Sequence, residues 1–469
     1  MILNIQKKLR ELGYNSVPQT FYNLVDVWKS WYDGNVSNFH KYTVYNGIEY
    51  LDCQRYTVGM AKKVSEDWAN LLLNEKVNIT LEGEEEQKFV DDVLEQNNFR
   101  VKGNEMQERK AALGTTAYVP RVEGATVDKE SGKILKPGVI KLDYCTAPAI
   151  YPLSWENGII RECAFVSAQK INGKDYTYIQ IHKLEDGKYV IENRIFEYSK
   201  EVPLTSVPGY ENIPKSIRTD SEKPQFIIDR LNIANPDEDC PMGIAVFANA
   251  IDQLKGVDVA YDGYVNEFVL GKKRIVVKPE AVKSLEGKPF FDVNETVYYV
   301  LPEDSSNKSI MEQVDMTLRT AEFNAGMQDM LNVLSSKCGF GENHYKYDRG
   351  NISTATQVVN ENSTLFRTIK KHEIILRNVL TELCRTILRM GNQYMGMSLN
   401  ENAEISIDFD DSIIEDTRTD NQDMRADVAA GLIRPELYIA KKYGVTEKEA
   451  IKMMPGMEDM TTEGQDDVE

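Results

Sequence analysis

Long apolar runs are missing from this chain. No stretch approaches the ~18 residues that a membrane-spanning helix requires. Residues 1–13 form a polar, amphipathic opening without the apolar core of a secretion signal. A soluble, unexported chain is the expectation. Cysteine is sparse, and the six residues, at 53, 145, 163, 240, 338 and 384, form no CxxC pair. A chain this long needs no disulfide staples, so they read as reduced, buried thiols. The four histidines, at 40, 182, 344 and 372, are equally scattered. Nothing has metal-ligand spacing, and neither a metal nor a cofactor is expected. Catalytic motifs are absent too. Gly271-Lys272-Lys273 lacks the preceding spaced glycine of a phosphate-binding loop, and there is no HExxH, GxSxG or strand-to-helix GxGxxG. An enzyme is therefore not expected. Basic charge is also short: 55 Lys and Arg face 74 Asp and Glu, a net −19. That excess excludes a protein gripping nucleic acid over its whole surface, which needs many phosphate-neutralising cations. It does not exclude one that DNA must slip past without sticking.

What is present is ample core material. The 469 residues are 42% hydrophobic and 28% charged, enough for two to four globular domains. Two features invite a chemical reading. Asp408, Asp410 and Asp411 could form a carboxylate cluster for a divalent cation. Alternation through Ile405, Ile407 and Phe409 instead predicts a strand with a polar side, with Asp411 or Ser412 free to cap a helix. His182 alternates with Ile179 and Ile181, which predicts a solvent-facing strand residue rather than a catalytic base.

The order of elements points to a helix-rich α+β chain. Helical spacing runs through Ala61, Val64, Trp68, Leu71 and Leu72, predicting a helix over 54–74. A second helix is predicted over 84–97, with Glu84, Glu85 and Glu86 complementing its N-terminal dipole. From about 115 to 200 the pattern is strand-like. Segments 118–122 and 133–142 flank a polar turn, and segments 176–184 and 189–198 flank the hairpin signal Asp186-Gly187. Prolines 203, 208, 214 and 224 mark a long extended connector. A long helix is then predicted from Cys240 to residue 270, with a seam through Phe247, Ile251, Leu254, Tyr261, Val265 and Phe268 that Asp258 interrupts. Gly256 and Gly263 lie on another face, where a close neighbour could pack. A small α/β insert over 271–310 follows, opening with the basic run Lys272-Lys273-Arg274. Next come a helix over 311–335, a loop over 337–350 rich in glycine and aromatics, and the longest helix. That last helix has its seam at Leu365, Ile369, Leu376, Leu380, Leu383 and Ile387, with Thr354 and Gln357 as a capping box. Helices punctuated by Gly431, Pro435 and Gly444 are predicted over 416–454. The segment from Glu458 onward carries six acidic and no basic side chains and is expected to be disordered.

The run Leu334-Ser335-Ser336-Lys337-Cys338-Gly339-Phe340-Gly341-Glu342-Asn343, with Met327 to Asn332 before it, carries a resemblance. So do the following Thr354 to Ser363 and Lys370-Lys371-His372-Glu373. Together they closely resemble portal proteins of tailed bacteriophages, of the type found in siphophages of Gram-positive hosts. Met60 to Glu75 and Asp411 to Tyr438 support it in the same order. The resemblance implies a homo-oligomeric ring, usually a dodecamer, at one capsid vertex of the virion, assembled in the host cytoplasm. Double-stranded DNA would pass through it during packaging and ejection. Implied partners are the terminase large subunit, the major capsid and scaffolding proteins and a head–tail adaptor, with no membrane. Mapped onto the chain, it implies a wing over 1–239 and 353–410, stem helices over 240–270 and 311–336, and a clip over 271–310. A tunnel loop over 337–352, a helical crown over 411–457 and an acidic tail over 458–469 complete the map.

Physics and resemblance agree on a passive conduit. A wall attracting phosphates at many points would stall DNA, whereas a weakly repelling wall with a few mobile cations keeps it centred. Lys337, Lys346 and Arg349 are the expected channel cations, joined by His344 at lower pH, with plain loop solvation as the other reading. Lys272, Lys273 and Arg274 form the expected basic patch of the clip. Three rival classes stand beside this: another head-completion or morphogenesis protein, a metal-dependent DNA-processing enzyme using Asp408, Asp410 and Asp411, and a soluble scaffold with no DNA role.

Overall fold

Three Asx-Gly pairs build the largest sheet. Asn157-Gly158, Asn172-Gly173 and Asp186-Gly187 all have positive φ at both residues, the conformation of a two-residue type I′ turn whose twist matches the strands it joins. They link Ile150–Glu156, Ile159–Ile171, Lys174–Glu185 and Lys188–Glu197 into an antiparallel meander, which Lys200–Val202 and Ser216–Arg218 extend. The pairing Glu185↔Lys188 closes the predicted Asp186-Gly187 hairpin. The structure is a computed structural model. It describes residues 4–124, 126–127, 134–136, 138–270, 274–277, 284–285, 288–289, 297–300, 311–314, 317–342, 344–346, 355–409, 424–443 and 447–454.

Both faces of this sheet are covered. Leu9 of helix α1 (Ile5–Glu11) sits against Leu153, Ala164, Ile179, Ile181 and Phe196 on one face. On the other, Leu204 and Val207 pack on Tyr176 and Ile195. The proline-rich segment is therefore a lid on the sheet rather than a free connector. His182 lies under it, 1% exposed, edge-on to Phe165 and Phe226 at 5.5 and 5.4 Å. This corrects the solvent-facing expectation: alternation selects a face, but a lid from distant sequence buries both.

A second, three-stranded antiparallel sheet has Thr115–Glu123 at its centre, between Ile227–Arg230 and Val139–Thr146. Around it lie α2 (Gln19–Tyr32), α3 (Met60–Leu72), α4 (Glu84–Gln96) and α5 (Phe99–Leu113). Helix α5 has no amphipathic pattern because its buried face, Phe99, Gly103, Met106, Gln107, Lys110 and Leu113, includes a glycine, an amide and a lysine, while Val101 lies on the exposed side. Its Lys110 reaches Asp229 at 2.9 Å, both wholly buried, and Gln107 Nε2 donates to the same carboxylate at 2.8 Å. Burial pushes the Lys110 ammonium down, and the Asp229 charge offsets part of that.

The remaining helices are α6 (Ile251–Leu270), α7 (Thr320–Lys337) and α8 (Ala355–Met395). At 41 residues, α8 spans about 60 Å at 1.5 Å per residue. All six of its predicted seam residues are buried. The expected strand near 405 is Ile405–Asp408, and it pairs antiparallel with Asn78–Leu81.

Three predicted helix starts are corrected. The helix expected over 54–74 begins at Met60, because Tyr50–Gln54 is a strand. The helix expected from Cys240 begins at Ile251. Residues 240–247 are a buried segment whose backbone bonds elsewhere: Gly243 N to Thr115 Oγ1 at 2.8 Å and Val246 N to Ala111 O at 2.8 Å. Pro241 also disfavours helix at the residue before it. The helix expected from 311 begins at Thr320, because Met311–Val314 is a strand pairing antiparallel with Arg274–Val277. Val297–Val300 pairs parallel on the other side, so the insert holds a three-stranded sheet. The short helix expected over 279–284 and the cap residue Thr354 lie outside the described residues, apart from Ser284, which is in a strand.

Residues 410–469 form a separate compact unit. Its described part holds a helical stretch at 424–429, Pro435–Tyr443 and Glu447–Met453, with a positive φ at Gly431 and Pro435 opening the middle helix. The expected acidic tail over 458–469 lies outside the described residues.

Candidate functional site

Helices α6 and α7 form an antiparallel pair. Reading along α6, Gln253 meets Lys337, Gly256 meets Met330, Gly263 meets Phe323 and Glu267 meets Arg319. The two glycines make the close approach possible: a Cβ at Gly256 would lie 3.2 Å from Met330 Sδ, and one at Gly263 would lie 3.0 Å from Phe323 Cε1. The small-residue groove expected on this helix is thus filled, by another helix of the same chain.

Each end of the pair is closed by a cation. At one end, Lys337 Nζ donates to Asn249 O at 3.1 Å and Gln253 Oε1 at 3.0 Å. At the other, the Arg319 guanidinium forks onto both oxygens of Glu267, at 3.0 and 2.9 Å. Arg319 draws the Glu267 carboxyl below its ordinary range. The insert leaves and returns between these two residues, so its ends are held close together.

Burial on α6 fades along its length. Leu254 and Val257 are buried, whereas Val259, Phe268 and Val269 are exposed. Asp258, which interrupts the apolar seam, is buried as well, 4% exposed. Its carboxylate accepts from Val58 N at 2.8 Å, from Thr57 Oγ1 at 3.1 Å and from His40 Nε2 at 2.9 Å. The other ring nitrogen, Nδ1, accepts from Val36 N at 2.9 Å, which fixes the proton on Nε2. Next along the helix, Asp262 Oδ1 accepts from Tyr56 N at 3.0 Å. Residues 36–58 are therefore pinned to the helix pair by two carboxylates.

The segment after α7 is anchored, not free. Phe340 is buried beside Trp68 of α3, ring centres 5.0 Å apart, and His372 of α8 meets the same indole edge-on at 4.9 Å. Trp68 Nε1 donates to Cys338 O at 3.0 Å. Tyr345 hydroxyl donates to Asp67 Oδ2 at 2.9 Å, and Gln328 Nε2 donates to Tyr345 O at 2.8 Å. The three blocks around 60–75, 334–346 and 370–373, far apart in sequence, meet at this one aromatic cluster.

The anticipated site residues distribute as follows. Lys337 braces the base of the helix pair. His344 stacks on Phe340 at 4.3 Å with Asp67 Oδ2 4.0 Å away. Burial pushes the imidazole below its ordinary range despite Asp67, so it is neutral at pH 7. Lys346 is exposed. Arg274 opens the central strand of the insert, opposite Val297 and Val314. Arg349, Lys272 and Lys273 lie outside the described residues, as do Tyr347, Asp410 and Asp411. Asp408 ends its strand opposite Asn78. Among the described residues, no group of three or more His, Cys, Asp or Glu is placed to hold a metal ion, and no helix is long and apolar enough to cross a membrane. The pinning roles of Asp258, Asp67 and His40 were not visible in the sequence. The one local signal was an aspartate inside an apolar seam.

A family model described as phage portal protein, SPP1 Gp6-like, matches residues 18–464. No curated protein matches the chain.

Proposed function

The chain belongs to the SPP1 Gp6-like family of phage portal proteins, a structural family, and on that premise we propose how its parts serve a DNA channel. The chain assembles into a closed ring, of about twelve copies in the virion, at one capsid vertex. Helices α6 and α7 form the stem, and the insert over 271–310, extended by the strand to Val314, forms the clip that meets terminase and later the head–tail adaptor. The 337–352 segment forms the tunnel loop, the sheets and α8 the wing, and residues 411–457 the crown.

One observation carries this reading. The insert hangs from a helix pair locked at both ends by Lys337 and by the Arg319–Glu267 fork. A small sheet on such a stalk is presented to partners without being part of the main core. The outer half of α6 stays half-exposed in the single chain, as a subunit contact requires.

The anchored aromatic cluster limits what the loop does. Phe340 and Tyr345 fix its root, Lys337 braces the stem behind it, and the cations we assign to the lumen are Lys346 and Arg349. The experiment is packaging with both cations reversed, Lys346→Glu with Arg349→Glu. Rings should form normally, because a loop carries the substitutions and surface changes of this kind cost about 0.5 kcal/mol or less. Packaged DNA length or its retention should fall, because added negative charge repels phosphates within about 8 Å at physiological salt. Normal packaging and retention would place these side chains away from DNA and remove the tunnel assignment.

A further inference from the structure

A rigid apolar arm stands out from the α6 side of the molecule. Strands Lys41–Tyr45 and Tyr50–Gln54 pair with one another in register from Lys41↔Gln54 to Tyr45↔Tyr50, and among the described residues with no other strand, apart from a single bridge of Lys41 to Ser37 at the base. Its turn is built rather than loose: Asn46 Oδ1 accepts from Ile48 N at 2.9 Å and Glu49 N at 2.8 Å. Its base is locked. The Arg55 guanidinium lies over Phe39 and Tyr42 and donates to Phe39 O at 2.7 Å, while Asp258 and Asp262 hold the flanking residues on α6.

Yet the far end carries exposed apolar side chains on both faces. Tyr45 and Tyr50, opposite one another, are 57% and 75% exposed; Val44 and Leu51, opposite on the other face, are 46% and 44% exposed. Ile48 at the turn is 88% exposed. An isolated two-stranded hairpin is marginal in water, and its free edges invite further strands. This one spends Asx bonds, an arginine clamp and two carboxylate pins on holding an uncovered apolar surface in place.

We propose that the 41–54 hairpin is an assembly arm that inserts into the neighbouring copy of this chain, which covers both its faces. The inference rests on the ring reading and names its contact. A second copy fits better than other partners for three reasons. Tyr56 beside the arm's base and Val259 on α6 are exposed apolar side chains as well, and α6 is the helix that the ring reading leaves half-covered in one subunit. Lys41 is the arm's one cation, against Glu49 and Asp52, so nothing recruits a phosphate backbone. Its conformation is fixed before docking, which suits a contact repeated identically around a heterologous ring.

The test uses the full chain. In sedimentation, wild type should form rings, while Ile48→Asp with Tyr50→Asp should remain a folded monomer and assemble only at ten-fold or higher concentration. In parallel, a benzophenone amino acid at position 48 is irradiated in rings mixed from light and heavy-nitrogen subunits. Cross-linked peptides should pair light with heavy chains. Rings of the double variant at wild-type concentration, or cross-links confined to single chains, would overturn the arm. If the double variant loses its far-ultraviolet circular dichroism, the cross-links alone decide. A wild type that forms no rings removes the ring reading and this inference with it, whereas wild-type and variant rings together remove the inference alone.

Discussion

Asp258→Ala should unfasten residues 36–58 from the stem helix without unfolding the chain. The carboxylate is 4% exposed and accepts from three groups: His40 Nε2, Val58 N and Thr57 Oγ1. Hydrogen bonds to a charged acceptor are each worth about 1.5–3 kcal/mol. The Thr57 hydroxyl can turn to water after truncation, so its loss counts little. His40 is buried, so its ring N–H loses its bond to Asp258 out of reach of bulk water. Allowing for non-additivity, the local cost is about 3 kcal/mol, or roughly a hundredfold in the opening equilibrium. A chain this size unfolds in parts, so a global melt is a poor reporter. Hydrogen exchange at the Arg55 amide is better, because that amide bonds His40 O at 2.7 Å and does not touch Asp258. The expected result is exchange about a hundredfold faster at Arg55, with Trp68 and α8 amides unchanged. Less than about five-fold acceleration would refute the pinning argument.

Three further outcomes follow from the same geometry. Burial pushes His182 down to about 3, and burial, then Lys110 and Lys371, push His372 to about 3. Both are neutral in the fold and protonate first when unfolded, so stability present above pH 6.5 is lost as pH falls from there toward 3. That amounts to about 3 kcal/mol per histidine at pH 4.5. His182→Leu should flatten part of that acid limb and, because neither ring nitrogen has a partner, raise stability at pH 7 by about 1–2 kcal/mol in urea titrations. Lys110→Met leaves the buried Asp229 charge without its ion-pair partner and should cost about 3–5 kcal/mol in the same titrations, whereas an unchanged midpoint would contradict the pairing. Deleting the insert between Glu267 and Arg319 should preserve the α6–α7 pair, measured by circular dichroism and ring formation, while terminase binding is lost; failure to fold would make the insert part of the core.

Legibility in the sequence tracked the range of the deciding contacts. The α8 seam, the Asp186-Gly187 hairpin and the Gly256/Gly263 groove are local patterns, and each could be read from spacing alone. Helix α5 could not, because polar Gln107 and Lys110 sit on its buried face and blur the period, and Lys110 looks like a surface residue until Asp229 arrives from over a hundred positions away. The 240–250 stretch has helical apolar spacing, but Ala111 and Thr115 accept from two of its backbone N–H groups, and Arg230 and Asn235 donate to two of its carbonyls. His182 followed the alternation correctly onto the face opposite Ile179 and Ile181; the lid from 204–226 was the missing fact. At the candidate site, Lys337 and Lys346 were visible as cations, but the anchoring of Phe340 and Tyr345 was not. Trp68, Asp67 and Gln328 supply it from other elements.

The ring itself is the claim on which stem, clip, tunnel and arm all depend. Electron microscopy of the purified full chain at micromolar concentration and near-physiological salt measures it directly. Closed rings with an open centre and rotational symmetry in class averages are the predicted result. A uniform field of single subunits, matched by a sharp monomer in sedimentation, would contradict it.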